Sequence, residues 1–588
     1  MTSVKVLLAL MMCVGCAACR PSSSPRATTE SALPATEWFV DRAVETGLDF
    51  THFNGMSGAQ YYAEHMGPGV ALFDYDNDGD LDVFIAQGRM LGSGRRIEQA
   101  LFPPKSAPRG RLFRNDLHVG ADGARALTFT DVTEASGLVA DGYGMGVAAG
   151  DFNNDGCIDV YVTALGRNQL FKNNCDGTFA DVSKASRTDD SGWSTSAAFV
   201  DYDRDGWLDL FVGHYLAYNT DANIQCYSVS GKPDYCPPHV YSAQPSHLFH
   251  NNRDGTFTDV TVAAGISREF GPALGVTTAD FNGDGWPDLF VANDGQPNQL
   301  WINKHDGTFA NTALLSGTAL SAEGAAKSSM GVDAGDFDND GDDDLFVAEL
   351  TGQGADLYVN DGTGIFTDQS ARSRIRFETL PYTGFGAAWF DFDNDGWLDL
   401  LTVNGAVTGI EEQVKQNDPF PLHQRKQLLR NRGDGTFEDV TGRAGAVFRA
   451  AWVGRGAAFG DLDNDGDVDV VVANDNARAE LLLNEIGQRN HWIGIRAVRE
   501  PAGTQADRAA QDALGARVGL TRDDGRVVWR RIRTDGSYLS ANDPRALVGL
   551  GQSAKIARVR VTWPDGRSEE WTDVPVDRYT TVKEGTGK

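Results

Sequence analysis

Seven times along this chain a nine-residue, aspartate-rich loop places oxygen donors at positions 1, 3, 5 and 9, with glycine at position 6. The copies hold Asp74, Asp76, Asp78 and Asp82; Asp151, Asn153, Asp155 and Asp159; Asp201, Asp203, Asp205 and Asp209; and Asp280, Asn282, Asp284 and Asp288. The last three hold Asp336, Asp338, Asp340 and Asp344; Asp391, Asp393, Asp395 and Asp399; and Asp461, Asp463, Asp465 and Asp469. Oxygen-only donors at this spacing suit a hard cation of calcium size, and the glycine permits a tight turn around it, as in the first half of an EF-hand loop. A short apolar run such as Val83-Phe-Ile-Ala follows each loop where an EF-hand would begin its exiting helix. These are therefore read as calcium loops of β-hairpins, with up to seven calcium ions expected. Tandem Asp-Gly turns can also be mere hairpin punctuation, but that leaves donor-type residues at four fixed positions of every copy unexplained. An all-protein oxygen cage leaves few open positions, so the expected role of each ion is to lock a hairpin.

The loops begin at 74, 151, 201, 280, 336, 391 and 461, a period that suits one four-stranded unit per repeat. A second signature lies between loops, as in Leu170-Phe-Lys-Asn-Asn-Cys-Asp-Gly-Thr-Phe and Leu248-Phe-His-Asn-Asn-Arg-Asp-Gly-Thr-Phe, where apolar residues alternate around a turn. A third precedes the loops and is rich in small residues, as in Gly146-Val-Ala-Ala-Gly150 and Gly456-Ala-Ala-Phe-Gly460, fitting an innermost strand crowded around a central channel. Seven such units can close on themselves and leave no long sheet edge. Residues 38–487 are read as an all-β, seven-bladed propeller. An open solenoid of calcium-binding repeats is the rival, but solenoids use shorter periods without intervening hairpins.

With 588 residues, 41% of them hydrophobic and 10% aromatic, the chain can build large packed cores. Its formal net charge is −30, which argues against nucleic acid and anionic membrane surfaces as partners. Seven calcium ions would bring about 14 positive charges, so roughly half of that excess reports metal loading. At the N-terminus, Lys5 followed by Val6-Leu-Leu-Ala-Leu-Met-Met12 is too short to span a bilayer and reads as an export signal over residues 1–18. Its end, Cys13-Val-Gly-Cys16-Ala-Ala-Cys19, resembles a bacterial lipobox, with Cys19 first and Cys16 second as the lipidated residue. Residues 19–37, rich in Ser, Pro, Ala and Thr, serve as a flexible tether. Membrane contact is expected through that N-terminal lipid alone. Cys157, Cys175, Cys226 and Cys236 remain, and in an exported chain their even number favours disulfides Cys157–Cys175 and Cys226–Cys236 over a zinc site, whose spacings they do not match.

The repeated Gly-Val-Ala-Ala-Gly-Asp-Phe-Asn-Asn-Asp-Gly units resemble FG-GAP (VCBS) repeats of the kind found in integrin α-chain propellers. Residues 488–588, with Asp512-Ala-Leu-Gly-Ala-Arg517, Gly536-Ser-Tyr-Leu-Ser540 and Val561-Thr-Trp-Pro-Asp-Gly566, resemble the ASPIC/UnbV domain, and the whole is similar to bacterial relatives of cartilage acidic protein 1. Alternation over Arg517–Leu520, Val527–Ile532 and Ile556–Trp563 makes this tail a small all-β domain. The resemblance implies a cell-surface or extracellular interaction protein and supplies no catalytic residues. The fifth loop departs from the pattern with Asp343 where the others carry Leu, Ile, Val or Pro, which is expected to distort that site. Asn153 and Asn282 each remove one negative charge and should weaken affinity.

Arg432-Gly-Asp434 spells an integrin-recognition tripeptide, but it falls in the repeated hairpin turn that Asn252-Arg-Asp-Gly255 forms without it. Glu64, His65 and His52 are candidate metal ligands or an acid/base pair, though isolated histidines are more often structural. His214-Tyr215, Asn293-Asp294-Gly295, the Cys226–Cys236 loop and residues 87–111 are candidates for a recognition face, because long inserts between blade strands are where propellers carry specificity. The reading favoured is an exported, lipid-anchored calcium propeller in the cell envelope or outside the cell that binds an as yet unknown surface protein or glycan. The alternative is an extracytoplasmic enzyme, such as a polysaccharide lyase or hydrolase, with its site at the propeller mouth.

Overall fold

Each small or apolar stretch ahead of an acidic loop folds as a strand, and the apolar run behind the loop returns as its antiparallel partner. In the first unit Val70–Phe73 pairs with Asp82–Ile85, then Arg111–Asn115, then Phe129–Asp131. Six more four-stranded blades repeat this order, starting with Tyr143–Gly150, Ser191–Val200, Ala273–Ala279, Val332–Gly335, Gly384–Phe390 and Gly454–Gly460, the second and third blades being joined into one eight-stranded sheet where Ser191–Trp193 pairs with Leu165–Arg167. The computed structural model describes residues 37–228, 231–500 and 510–588. The expected export signal, most of the tether, and Cys16 and Cys19 lie outside the described residues. Among those described, no helix is long and apolar enough to cross a membrane.

The seventh sheet takes its outermost strand from the other end of the propeller: Phe39–Asp41 pairs with Glu480–Asn484, Phe39 opposite Asn484. The seven blades therefore form a closed ring. Because every blade is covered on both faces by its neighbours, strands such as Val70–Phe73 and Asp82–Ile85 are buried at every residue, and apolar side chains do not alternate with polar ones. Ala71, Phe73 and Phe84 of the first blade, for example, share a core with Val147, Val160 and Phe171 of the second. Small residues face the axis for want of space. A β-carbon on Gly331 would lie 1.9 Å from the carbonyl oxygen of Phe385 on the adjoining blade.

After the ring the chain builds two further four-stranded sheets. His491–Arg499 is flanked by Ala546–Gly551 and, in parallel, by Tyr579–Lys583, while Arg517–Arg522 lies between Val527–Arg531 and Ile556–Thr562. Between them, residues 533–543 leave the domain and enter the channel. Val332 and Val147 on two inner strands donate to the carbonyls of Ser537 and Leu539, at 3.1 and 3.0 Å, and Ala541 exchanges bonds with Val70 and Leu72. Tyr538 is fully buried at the tip, its ring 4.9 Å from that of Phe385 and its hydroxyl 2.9 Å from the Met66 carbonyl. Beyond it Tyr62, Trp193 and Tyr215 pack together. Buried aromatic side chains thus pack around the tip of the axial segment.

If this plug holds the blades together, Tyr538→Ala should cost about 3–5 kcal/mol by loss of a buried ring, and Tyr538→Phe about 1 kcal/mol by loss of one hydrogen bond. Denaturant midpoints check this. Equal, small shifts for both variants would contradict the packing described.

Candidate metal centres

In every acidic loop the carboxylate at position 1 accepts the backbone N–H of position 5, and in all but the fifth it also accepts that of the position-6 glycine: Asp151 from Asp155 at 3.1 Å and Gly156 at 2.7 Å, Asp391 from Asp395 at 3.0 Å and Gly396 at 2.8 Å. The glycines stand at φ near +90°, +87° at Gly156 and +96° at Gly396, a backbone conformation that side-chain-bearing residues resist. The aspartates at positions 1, 3 and 5 therefore converge. In the loops of Asp74, Asp76, Asp78 and of Asp201, Asp203, Asp205, oxygen atoms of the three carboxylates all lie within 4.8 Å of one another.

The aspartate at position 9 has a second task. Asp159 accepts from Phe152 at position 2 and from Asn173 at the end of the third strand, at 3.1 and 2.8 Å. Asn173 in turn passes its side-chain amide to the Tyr75 carbonyl of the preceding blade at 2.8 Å. Asn115, Asn251, Asn303, Asn360, Asn431 and Asn484 repeat that bond around the whole ring. A second, interrupted set runs through position 4: Asn77, Asn154, Asn339 and Asn394 each donate to the position-6 carbonyl of the next loop, and Asn464 to Asp80, while the third and fourth loops carry Arg204 and Gly283 there. Neither set of asparagines is anticipated above, although one Asn recurs at the same place in all seven repeats.

Several carboxylate oxygens of the loops are left without a protein partner. Asp76 Oδ1 and Asp393 Oδ1 are buried and unpaired, as are Asp336 Oδ2, Asp338 Oδ1 and Asp344 Oδ2 in the fifth loop. The seventh loop adds a further carboxylate, Asp467 at position 7, with both oxygens buried and unpaired. These donor sets fit a divalent ion with oxygen ligands. In the second and fourth loops the amides of Asn153 and Asn282 instead bond the position-5 carboxylates at 2.8 Å, and His250 lies 3.4 Å from Asp203 in the third. Burial, reinforced by neighbouring carboxylates, pushes Asp151, Asp336, Asp461 and Asp463 up to about 7 and Asp288 up to about 8.

The C-terminal domain covers this acidic end. Arg496 lies 3.9 Å from Asp74, Arg499 donates to the Gly206 carbonyl at 3.0 Å, Arg517 to that of Gly341, and Arg545 to that of Asp461 at 2.8 Å. Tyr579 donates to the Asp461 carboxylate at 2.9 Å. Asp343, the misfit of the fifth loop, is buried against Arg531 at 3.3 Å. The expected distortion takes a specific form: Asp344 loses the position-2 bond that its six counterparts make, and the side chain that breaks the pattern becomes a docking contact.

The opposite end carries the inserts. Residues 86–110 and 215–246 join second to third strands, as does a third insert, 405–426, that carries no sequence signature; Met56, Phe420, Leu422 and Val453 pack together there. Ser93 and Asp221 bond the first two inserts at 2.8 Å. Both expected disulfides are present, Cys157–Cys175 and Cys226–Cys236, with Cα atoms 5.7 and 5.1 Å apart. They are compatible with an exported protein. Glu64, His65 and His52 are buried beneath this cap: Glu64 accepts from Tyr235 at 3.1 Å and is pushed up to about 8 by burial, and His52 meets Asp475 at 3.1 Å. Asp294, buried, accepts from Tyr215 at 2.5 Å. The Arg432-Gly-Asp434 turn sits at the acidic end, where Asp434 caps its own hairpin by accepting from Thr436 and Gly433 lies against Trp397.

A closed ring of seven blades, each with an acidic hairpin loop, defines a repeat propeller with a β-domain docked on its loop face. The chain belongs to the FG-GAP-like repeat family, matching it over residues 74–162, 151–212, 231–291, 280–347, 336–402 and 423–472, and residues 506–588 match the ASPIC and UnbV family. It is similar to cartilage acidic protein 1 of Homo sapiens, 26% identical over 319 residues, covering 53% of this chain and 43% of that protein. The Xenopus tropicalis protein is 25% identical over 325 residues, with 53% and 44% covered. The chain thus spans less than half the length of these relatives. Among solved structures, the Dos1 propeller aligns with a TM-score of 0.34 at 8% identity, over 74% of this chain and 95% of that one.

Carboxylates raised in the fold bind protons that the unfolded chain has already released between about pH 4 and pH 7. Without divalent cations, stability should therefore rise as pH falls from 8 to 5 and be lost as pH climbs through the raised values. Melting curves in excess chelator across that range check the sign; a flat profile would mean that the loops open when cation-free.

Proposed function

We propose that this is an exported, lipid-anchored protein whose propeller is made rigid by calcium in the acidic loops and binds a surface protein or glycan on its insert face. One observation carries the reading. The C-terminal domain covers the acidic end, where Val119 and Ile365 are exposed, while most of the large exposed apolar side chains lie on connections at the other end: Leu101, Ile224, Tyr227 and Val240 on the inserts, and Leu315 and Phe377 on blade connections. Exposed apolar groups clustered on one face of a rigid scaffold mark a binding surface more often than a solvated one. The cages and the binding face are then separate, and calcium acts through rigidity. The similarity to cartilage acidic protein 1 supports a surface or extracellular setting, and the two disulfides support export.

The ions would be held by the aspartates and asparagines at positions 1, 3, 5 and 9, offsetting charge that the fold otherwise leaves crowded. Chelation should lower the melting midpoint at pH 7.5 by many degrees, since a ligand bound to the native state alone stabilises it by mass action; Asp395→Ala should remove one ion at smaller cost. Calcium content and calorimetry check both, and unchanged melting in chelator would sink the calcium role.

On a glycan and surface-protein array, Tyr227→Ala combined with Ile224→Ser should abolish capture while calcium content and melting stay close to the parent protein. Asp434→Glu should leave capture intact. Full binding by the insert variant, with loss in Asp434→Glu, would move the face to the acidic end.

A further inference from the structure

The blade-three insert is gripped at its root by two histidines. His214 is the last residue of the strand Asp209–His214 and His247 the first of His247–Asn251, so residues 215–246 leave and return between them. Asp190, just ahead of the inner strand Ser191–Val200, reaches the same point. Its Oδ2 lies 2.9 Å from His214 Nε2 and 3.1 Å from His247 Nδ1, and the two rings are 4.6 Å apart.

The hydrogen bonds fix what these atoms offer. His214 Nδ1 lies 2.9 Å from the Pro245 carbonyl, which can only accept, so Nδ1 carries the hydrogen and the neutral ring presents its lone pair at Nε2. Orientation of an imidazole by a carbonyl behind it is the usual second shell of a metal-ligating histidine. Ser194 Oγ stands 2.9 Å from the same Nε2 and accepts from Asn168 at 2.8 Å. Two imidazole nitrogens facing one carboxylate oxygen are satisfied by protons on the rings or on Asp190, or by a single cation among them, and the Ser194 hydroxyl can donate to Nε2 only when no cation sits there. Nitrogen and oxygen ligands about 2.1 Å from a tetrahedral zinc ion lie about 3.4 Å from each other, a few tenths of an ångström beyond the two separations from Asp190. The His214 side chain is 4% exposed, Asp190 12% and His247 26%, so the group is walled on one side and open past His247. The other carboxylate near it, Asp259, is 4.0 Å from His247.

We propose that Asp190, His214 and His247 bind one transition-metal dication of the zinc class through Oδ2, Nε2 and Nδ1, with a fourth position open to solvent. The nitrogen ligands separate it chemically from the oxygen cages at the far end of the ring. An ion here ties both ends of the insert to the inner strand and sets the posture of the disulfide-closed loop beyond.

Chelator-treated protein saturated with calcium and then titrated with cobalt(II) tests this. The expected result is one equivalent of cobalt with the visible absorption of a tetrahedral site, displaced by zinc, absent in His247→Ala and in Asp190→Asn, and kept in the cage variant Asp395→Ala. Circular dichroism shows that each variant is folded, and His247→Gln replaces His247→Ala if the latter is not. No cobalt spectrum in the parent protein would overturn the proposal in favour of a protonated Asp-His-His relay. A spectrum that survives in the folded His247 variant, or vanishes in Asp395→Ala, would overturn it by placing the ion elsewhere.

Discussion

Crowding of carboxylates at one end of a closed ring is the constraint on which the rest of this structure depends. Two like charges 4 Å apart repel by about 4 kcal/mol at the effective dielectric of a protein surface, and each loop brings three or four together. The fold meets this repulsion first with its own backbone, whose N–H groups at positions 5 and 6 are aimed at the position-1 carboxylate. It meets it again with arginines of the C-terminal domain, which reach the loops from above. What these leave over is concentrated in particular oxygens, such as those of Asp76, Asp338 and Asp467, and that remainder gives the proposed ions their purchase.

The same chemistry makes the two domains one body. Residues 37–588 form a single compact unit, because the C-terminal domain both caps the acidic ring and threads residues 533–543 down its axis. Buried ion pairs such as Arg531 with Asp343 and Arg533 with Asp333, the latter at 2.6 Å, are costly to desolvate and costly to break. They specify how the domain sits more than they stabilise it. Loop contents and domain docking are thus coupled, since any change of charge in a cage is felt by the arginine above it.

Blade number, ring closure, the inner strands and both disulfides were legible in the sequence because they are periodic or pairwise. Seven loops at a blade-length period leave little freedom, and Gly146 and Gly456 announce crowding at the axis. What escaped was relational. Asn173 reads as a hairpin residue until Tyr75 of the preceding blade is placed beside it, and Asp343 reads as a defect until Arg531 is. The segment containing Tyr538 was visible as a motif, but nothing in its composition says that it enters a channel. Nothing in the insert 405–426, which lacks cysteines, sets it apart in sequence from an ordinary long connection. His214-Tyr215 reads as part of a recognition face, and the pairing of His214 with Asp190 and His247 depends on strand ends that only the sheet brings together.

The closing strand Phe39–Asp41 fixes an order of assembly. Asp41 accepts from Leu481 across 440 residues of chain, so no ring exists until the seventh blade has been made and its outer place filled from the far end. Contacts of such sequence separation form late, after a large loss of chain entropy. The axial segment 533–543 lies later still in the sequence, and its bonds run to inner strands of blades that must already stand side by side. Ring closure and axial insertion thus both rest on contacts between residues hundreds of positions apart in the chain.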